Sequence, residues 1–195
     1  MRTDFFNSAL QSAQYRVAPS RNSSTVVLDK NEQSQDVERA LKAKVLERLL
    51  HADWNRYPTA DYRDIETKIA EYCRLSPENI TLSAGSANSI VTLLNYFALN
   101  SKHIVIAQPT YSLFDYHCKT YSIPYTPWYL NERLEYDLGT LPTLGNNSVL
   151  IITSPNNPVG NCLTTEQLES ILIANPESCV ILDGVYCEFS STDFG

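Results

Sequence analysis

Several features that would by themselves identify the class of a protein are missing from this sequence of 195 residues. The longest apolar run, Ile90 to Leu99, is interrupted by Asn95 and is far shorter than the roughly 20 residues of a membrane-spanning helix. The formal charge of −7 offers no basic face to nucleic acid or to an anionic membrane. The amino terminus has an early Asp4 and no apolar core, so it is a poor secretory signal. We therefore expect neither a nucleic-acid partner nor a membrane partner.

Patterns typical of metal sites and disulfides are absent as well. The five cysteines are an odd number without a CxxC pair, and the three histidines have no metal-ligand spacing. Scattered, buried thiols in a reducing compartment explain these cysteines best, which favours a cytoplasmic location. We assign no metal to the chain and no chemistry to its histidines. The cysteines are Cys73, Cys118, Cys162, Cys179 and Cys187.

The first part of the chain predicts an arm followed by helices. Residues 1–34 are polar and lack sustained periodicity, so we interpret them as an N-terminal arm. Residues 35–76 are predicted to form a helical lead-in to the sheet. Its first helix is capped by Ser34, and its second lies near 61–73. The loop between the two helices contains Pro58, which interrupts helix formation. The apolar positions of the first helix recur at every fourth residue: Val37, Leu41, Val45 and Leu49.

From residue 77 to residue 195, short apolar strands alternate with helices. This alternation predicts an α/β fold, a mostly parallel sheet with helices on both faces. The predicted strands are 79–83, 103–108, 123–130, 148–154 and 179–183, and the predicted helices are 87–99, 111–121 and 165–174. The segment 123–130 contains two prolines and should be an edge strand. The last helix has a capping box in Thr164 and Gln167.

Ligands of such sheets bind at the carboxyl ends of the strands. Each of these ends, taken alone, is explained by a turn or a cap. The glycine turn before the helix at 87–99 is also a possible phosphate cradle, since N–H groups at a helix start favour an anion. It is neither GxGxxG nor a P-loop, so a nucleotide-binding Rossmann domain is a weaker hypothesis. Taken together, the four ends carry what a flat, phosphorylated aromatic cofactor requires: an anion cradle, an aromatic side chain, an asparagine, and an aspartate followed by a tyrosine.

These residues resemble motifs of the fold-type I pyridoxal-phosphate-dependent aminotransferases of class I and II. NNPVG (156–160) resembles the family's Asn-Pro-Thr-Gly motif, and LDGVY (182–186) resembles its Asp-Glu-Ala-Tyr motif. Four further elements resemble family motifs in the family's order: LDKNEQ, NRYPTA, SPENITLSAGSANSI and PTYSLF. The branch with the strongest resemblance is histidinol-phosphate aminotransferase, an enzyme of amino-acid biosynthesis.

The resemblance implies roles around the ring of pyridoxal 5'-phosphate. Asp183 would lie against the pyridine nitrogen and keep it protonated, since a nearby carboxylate favours the cationic form. Asn157 and Tyr186 would hydrogen-bond the phenolic oxygen of the cofactor. Tyr111 would stack on the ring.

The resemblance also implies a phosphate site and a dimer. The N–H groups around Gly85, Ser86 and Ala87 would bind the cofactor phosphate. Tyr57, in the Arg-Tyr-Pro element, would reach the phosphate held by the neighbouring subunit of a homodimer. The substrates would be an amino-acid-like amine as donor and a 2-oxo acid as acceptor.

The chain departs from the family in its catalytic residues. The Schiff-base lysine of the family lies downstream of the Asp-Tyr motif, in a segment that this sequence does not reach before Gly195. The lysines present are Lys30, Lys42, Lys44, Lys68, Lys102 and Lys119, none of them at a fitting place. The family's C-terminal arginine, which grips the substrate carboxylate, is missing too. We therefore expect a truncated large domain, without a catalytic residue of its own and inactive alone.

Two other functions are compatible with the same motifs. A pyridoxal-phosphate decarboxylase of the threonine-phosphate type shares every motif quoted, and substrate-side residues beyond Gly195 would distinguish it. A non-catalytic fragment or assembly partner would keep the geometry without the chemistry. The five intact side chains argue against this last reading: Tyr57, Tyr111, Asn157, Asp183 and Tyr186. The sequence does not identify the substrate.

Overall fold

The computed structural model describes residues 28–57 and 62–191. Most of the predicted arm, residues 1–27, and the predicted loop residue Pro58 lie outside the described residues. The helices in the described part are α1 (Arg39–Leu50), α2 (Arg63–Cys73), α3 (Ser86–Leu99), α4 (Ser112–Thr120) and α5 (Thr165–Ala174). The strands are β1 (His103–Gln108), β2 (Thr126–Tyr129), β3 (Ser148–Thr153) and β4 (Cys179–Asp183). Short 3-10 turns lie at Pro77–Asn79, Leu138–Thr140 and Cys187–Phe189.

The four strands form one parallel sheet in the order β2-β1-β3-β4. The central strands β1 and β3 are almost entirely buried, as their unbroken apolar sequences predict. The strand with the prolines, β2, lies at one edge of the sheet, so that prediction is confirmed. Pro127 within it has no N–H to donate, which an edge position tolerates.

Side chains of successive strand residues point to opposite faces, and each face is covered by helices. One face packs against α3 and α4, and the other packs against α5 and the segment that follows β2. The predicted α/β fold with helices on both faces is therefore confirmed. The first core contains Ile90, Leu94, Phe97, Ile104, Ile106, Phe114, Val149 and Ile151. The second contains Val105, Trp128, Tyr136, Leu150, Ile152, Leu163 and Ile171.

Helix α3 runs antiparallel to the strand that follows it. Its C-terminus is joined to β1 by a short turn, in which the N–H of Lys102 donates to the carbonyl of Phe97 at 2.9 Å. The 14 residues of α3 extend about 21 Å, and the six residues of β1 extend about 20 Å. The N-terminus of α3, with Gly85 before it, therefore lies toward the carboxyl edge of the sheet.

Two predicted features are wrong. The segment 79–83 is not a strand: Asn79 ends a 3-10 turn, and Ile80 has extended backbone without a strand beside it in the described part of the chain. Helix α1 begins at Arg39 rather than after Ser34. The Asp36 carboxylate accepts the N–H of Val37 at 2.8 Å, and such a local bond competes with the helix.

The cysteines also differ from expectation. Cys118 is buried and Cys162 is half-buried, but three cysteines at the ends of elements or in the last 3-10 turn are exposed, namely Cys73, Cys179 and Cys187. The prediction of buried thiols is thus wrong for these three. All five are free thiols, and burial raises the pKa of Cys118 to about 12. Among the described helices, none is long and apolar enough to cross a membrane.

Candidate functional site

The loops at the carboxyl edge of the sheet are tied to one another by hydrogen bonds. Thr110, which follows β1, donates from its hydroxyl to the hydroxyl of Thr153 at the end of β3, at 2.7 Å. The Asn156 side chain donates to the carbonyl of Pro109 at 3.0 Å. The loop after β1 and the loop after β3 are therefore held together as one surface.

The segment 154–160 is a closed turn. The N–H of Asn156 donates to the carbonyl of Asn161 at 2.9 Å, and the N–H of Gly160 donates to the carbonyl of Asn156 at 2.8 Å. Gly160 has φ of +80°, a conformation that favours glycine. Both bonds involve the backbone of Asn156, and its side chain is buried. The side chain of Asn157 is half-buried and remains accessible at the site.

Asn157 and Tyr186 meet at this edge. The side-chain N–H of Asn157 donates to the hydroxyl oxygen of Tyr186 at 3.1 Å. A second amide, from Asn31, donates to the same oxygen at 2.9 Å. The sequence alone assigns no role to Asn31. Its place in LDKNEQ, one of the six elements that resemble family motifs, was the available signal.

Asp183 is the last residue of β4 and lies half-buried. Asp183 follows Ile181 by two residues in the same strand, so the two side chains are on the same face of the sheet. This is the face that α3 and α4 cover. Its carboxylate accepts the N–H of Val185 at 3.3 Å. Burial raises the pKa of Asp183, because the charged form loses water, and the bond from Val185 opposes this only in part. A cation beside this carboxylate would therefore be stabilised strongly.

The start of α3 has the features of an anion site. Gly85 is the N-cap residue of α3 and has φ of +79°. Because glycine has no side chain, it leaves the first turn of α3 exposed. The N–H groups of Ser86 and Ala87 belong to that first turn, where a helix has no carbonyl to offer them. The hydroxyls of Ser83 and Ser89 lie 2.6 Å apart on either side of the glycine.

The two remaining predicted tyrosines have different surroundings. Tyr111 precedes α4 and packs, half-buried, against the core on the α3 and α4 face. Tyr57 is 99% exposed. The chain therefore brings Tyr111 to the same edge and face as Asp183. The residues that the structure describes leave the side chain of Tyr57 exposed.

The residues at this edge fit a phosphorylated pyridine in their chemistry. Helix-start N–H groups suit a phosphate, and the half-buried carboxylate of Asp183 suits a protonated ring nitrogen. Asn157 and Tyr186, already in contact, suit a ring oxygen between them. This donor set contains both an anion site and a partner for a cation, which matches a ligand that carries both charges.

Comparison with known proteins gives the family of this arrangement. The family model described as aminotransferase class I and II matches residues 23–195. The histidinol-phosphate aminotransferase of Pyrococcus furiosus is 34% identical over 168 residues, a match that covers 86% of this chain and 48% of the relative. The chain thus spans about half the length of the curated relatives it matches.

Two solved structures show the same fold. The histidinol-phosphate aminotransferase of Sinorhizobium meliloti, in complex with pyridoxal-5'-phosphate, has a TM-score of 0.62 and 22% identity, over 75% of this chain and 41% of that one. The L-threonine-O-3-phosphate decarboxylase of Porphyromonas gingivalis has a TM-score of 0.65 and 21% identity, over 79% of this chain and 45% of that one.

Proposed function

The chain belongs to the aminotransferase class I and II family, and from this premise we propose that it is the cofactor-binding front part of a pyridoxal-phosphate-dependent aminotransferase. The whole enzyme transfers an amino group between an amino-acid-like amine and a 2-oxo acid. In this proposal residues 1–34 form an arm, 35–76 a helical lead-in, and 77–195 part of the large domain. The contact of Asn157 with Tyr186, on the loops that follow β3 and β4, carries the proposal.

The cofactor is pyridoxal 5'-phosphate, whose protonated ring, when bound, withdraws electron density from the reacting carbon of the substrate. Asp183 would hold the proton on the ring nitrogen, because its half-buried carboxylate is stabilised by a positive charge. Asn157 and Tyr186, which contact each other, would hydrogen-bond the ring oxygen. Tyr111 would pack against a face of the ring, where aromatic stacking contributes about 0.5–1.5 kcal/mol.

The phosphate is bound by backbone groups. The N–H groups of Ser86 and Ala87 would donate to its oxygens, and the positive end of the α3 dipole would add to the attraction. The N–H of Gly85 donates instead to the carbonyl of Ser83 at 2.8 Å, so Gly85 would serve the site through its conformation. Gly85 leaves the approach open, since no atom of the described residues, apart from its chain neighbours, lies within 4 Å of the position that a Cβ would occupy there.

None of the six lysines lies in the loops that follow β1, β3 and β4. Lys42, Lys44 and Lys68 lie on α1 and α2, which precede the sheet in sequence, and Lys102 lies at the amino end of β1. Lys119 is in the last turn of α4, paired with Asp115 at 2.6 Å. Lys30 adjoins Asn31, but as in the family's opening motif it is not the Schiff-base residue. We infer that the lysine of the reaction is supplied from outside these 195 residues, so that this chain alone does not turn over.

We propose a homodimer, and the exposure of Tyr57 supports it. Its side chain is 99% exposed, as a residue that serves a neighbouring subunit must be. Helix α1 beside it has no buried residue, although it carries Leu41, Val45 and Leu49. Five free thiols without a disulfide are consistent with the cytoplasm as the location.

The substrate we propose is histidinol phosphate, on the strength of the 34% identity to a histidinol-phosphate aminotransferase. The alternative, decarboxylation of a threonine phosphate, rests on a fold likeness at 21% identity. The two are separated by one assay of the whole enzyme purified from its own source, in which this chain is combined with the part that supplies the lysine. Incubation with histidinol phosphate and a 2-oxo acid should consume both, whereas incubation with threonine phosphate should release no carbon dioxide. Carbon dioxide release without amino transfer would overturn the proposal in favour of the decarboxylase.

A further inference from the structure

The hydroxyl oxygen of Tyr186 accepts two hydrogen bonds from two different parts of the chain. Asn157 donates to it from the loop after β3 at 3.1 Å, and Asn31 donates from the segment before α1 at 2.9 Å. A side-chain amide nitrogen has hydrogens and no accepting lone pair, so the direction of both bonds is fixed.

With two amides donating to its oxygen, the phenol of Tyr186 can still donate its own hydrogen. A phenolic oxygen can accept at its lone pairs and can donate its single hydrogen. With both accepting positions occupied, the hydroxyl hydrogen of Tyr186 has to point to a third group, away from Asn157 and Asn31. Tyr186 is half-buried at the carboxyl edge, where the proposed cofactor site lies, so a bound cofactor can supply that third group.

We propose that Asn31 is a positioning residue, which together with Asn157 aims the Tyr186 hydroxyl hydrogen at the ring oxygen of the cofactor. This inference rests on the proposed function, since the ring oxygen is the acceptor. It gives the segment before α1 a part in the site that lies 155 residues away in sequence. Asn31 acts through Tyr186 and does not itself have to touch the cofactor.

The backbone explains why an asparagine suits this position. Asn31 has φ of +53°, in the left-handed region, which asparagine, aspartate and glycine adopt more readily than other residues. Substitution by glycine therefore keeps the backbone and deletes the amide. Substitution by aspartate keeps the backbone and the size, but replaces a donor with an acceptor. Asn31→Gly and Asn31→Asp are thus a matched pair.

The contact itself can be tested on the protein without any ligand. In a ¹H–¹⁵N spectrum, Tyr186→Phe should shift the side-chain amide signals of Asn31 and Asn157 together, because both lose the same acceptor. The side-chain amide of Asn147, which donates to the carbonyl of Ser101, should not move and serves as the control. A shift of Asn157 alone would overturn the proposal.

The aim of the hydroxyl is tested with 4'-deoxypyridoxine 5'-phosphate, a cofactor analogue that lacks the aldehyde and so cannot react with lysines. The absorbance of the bound analogue reports ionisation of its ring hydroxyl. Loss of a donor to the ring oxygen moves this ionisation to higher pH, by about one pH unit for Tyr186→Phe. Asn31→Asp should reproduce that shift, because the new carboxylate accepts the Tyr186 hydrogen and turns it from the ring, whereas Asn31→Gly should shift it clearly less.

Equal shifts in the two Asn31 variants would mean that residue 31 only supports the fold, and would overturn the proposal. Failure of the unmodified chain to bind the analogue would overturn the proposed function and, with it, the role of Asn31 toward the cofactor. The amide signals still decide by themselves whether Asn31 and Tyr186 are in contact, so the two failures are distinguishable.

Discussion

Thr153 lies directly opposite Asp183 in the parallel pairing of β3 with β4. The two strands end at the same level, and the N–H of Ser154 adds one more bond to the carbonyl of Asp183 at 2.9 Å. The loops that follow therefore leave the sheet side by side, and Asn157 on one reaches Tyr186 on the other. A slip of one residue would place Asp183 on the opposite face, away from α3 and α4.

Gly85→Ala should destabilise the chain and weaken phosphate binding. At φ of +79° and ψ of 166° the backbone is in a region nearly exclusive to glycine, where another residue costs about 1–3 kcal/mol. Apart from its chain neighbours, no atom of the described residues lies within 4 Å of the added Cβ, so the cost is conformational rather than steric. Urea unfolding measures it, and Gly145→Ala is the control, since that site is also open but is not at positive φ. Equal effects of the two substitutions would contradict the assignment.

Asp183→Asn should make the chain without cofactor more stable at neutral pH. Burial raises the pKa of Asp183 from 3.8, so the folded state holds this proton more tightly than the unfolded state does. Stability contributed by the protonated form is present below 3.8 and is lost as pH rises through the raised folded pKa. Asparagine is neutral throughout and avoids that loss. The free energies of unfolding of the two proteins should diverge in favour of the variant as the pH rises above 3.8, and a variant that is less stable at neutral pH would refute this.

The folded state should become less stable on acidification, in part because of His117. Burial lowers its pKa from 6.5, and its ring Nε2 donates to the Asn95 side-chain oxygen at 3.0 Å. The unfolded state takes up the proton first, so stability is present above 6.5 and is lost as pH falls from there toward the lowered folded pKa. His117→Gln should remove this part of the pH dependence of the unfolding free energy. An unchanged slope below pH 6.5 would show that other groups cause it.

Thr164→Ala should cost about 1 kcal/mol of stability. Its hydroxyl accepts the N–H of Gln167 at 3.2 Å, and the Gln167 side chain accepts the N–H of Thr164 at 2.9 Å, which completes the capping box predicted for α5. Thr143→Ala, at an exposed loop position outside the helices, should cost less. The two urea midpoints compare them, and a smaller effect at Thr164 than at Thr143 would contradict the role of the cap.

Helices and strands that a local sequence pattern identifies could be predicted from the sequence. Features that depend on a partner distant in sequence could not. β1, β4 and α5 have the predicted bounds, because continuous apolar runs and a capping box identify them locally. The segment 79–83 has the composition of a strand but has no neighbouring strand among the described residues. The bond from Asn31 to Tyr186 spans 155 positions, and no spacing in the sequence predicts it.

The candidate site was predictable as a set of strand ends because parallel strands end at one edge. What remained hidden is which side chains bind to one another there. The link from Thr110 to Thr153 depends on the register of β1 against β3, and that register follows from the packing of two cores rather than from any motif.

The central claim, that this edge of the sheet binds pyridoxal phosphate through Asp183, is tested most directly by calorimetric titration with 4'-deoxypyridoxine 5'-phosphate. The account predicts saturable binding at one site per chain, weakened about 10–100-fold in Asp183→Asn, which is the loss of one hydrogen bond to a charged group. Absence of saturable binding, or equal affinities of the two proteins, would contradict it.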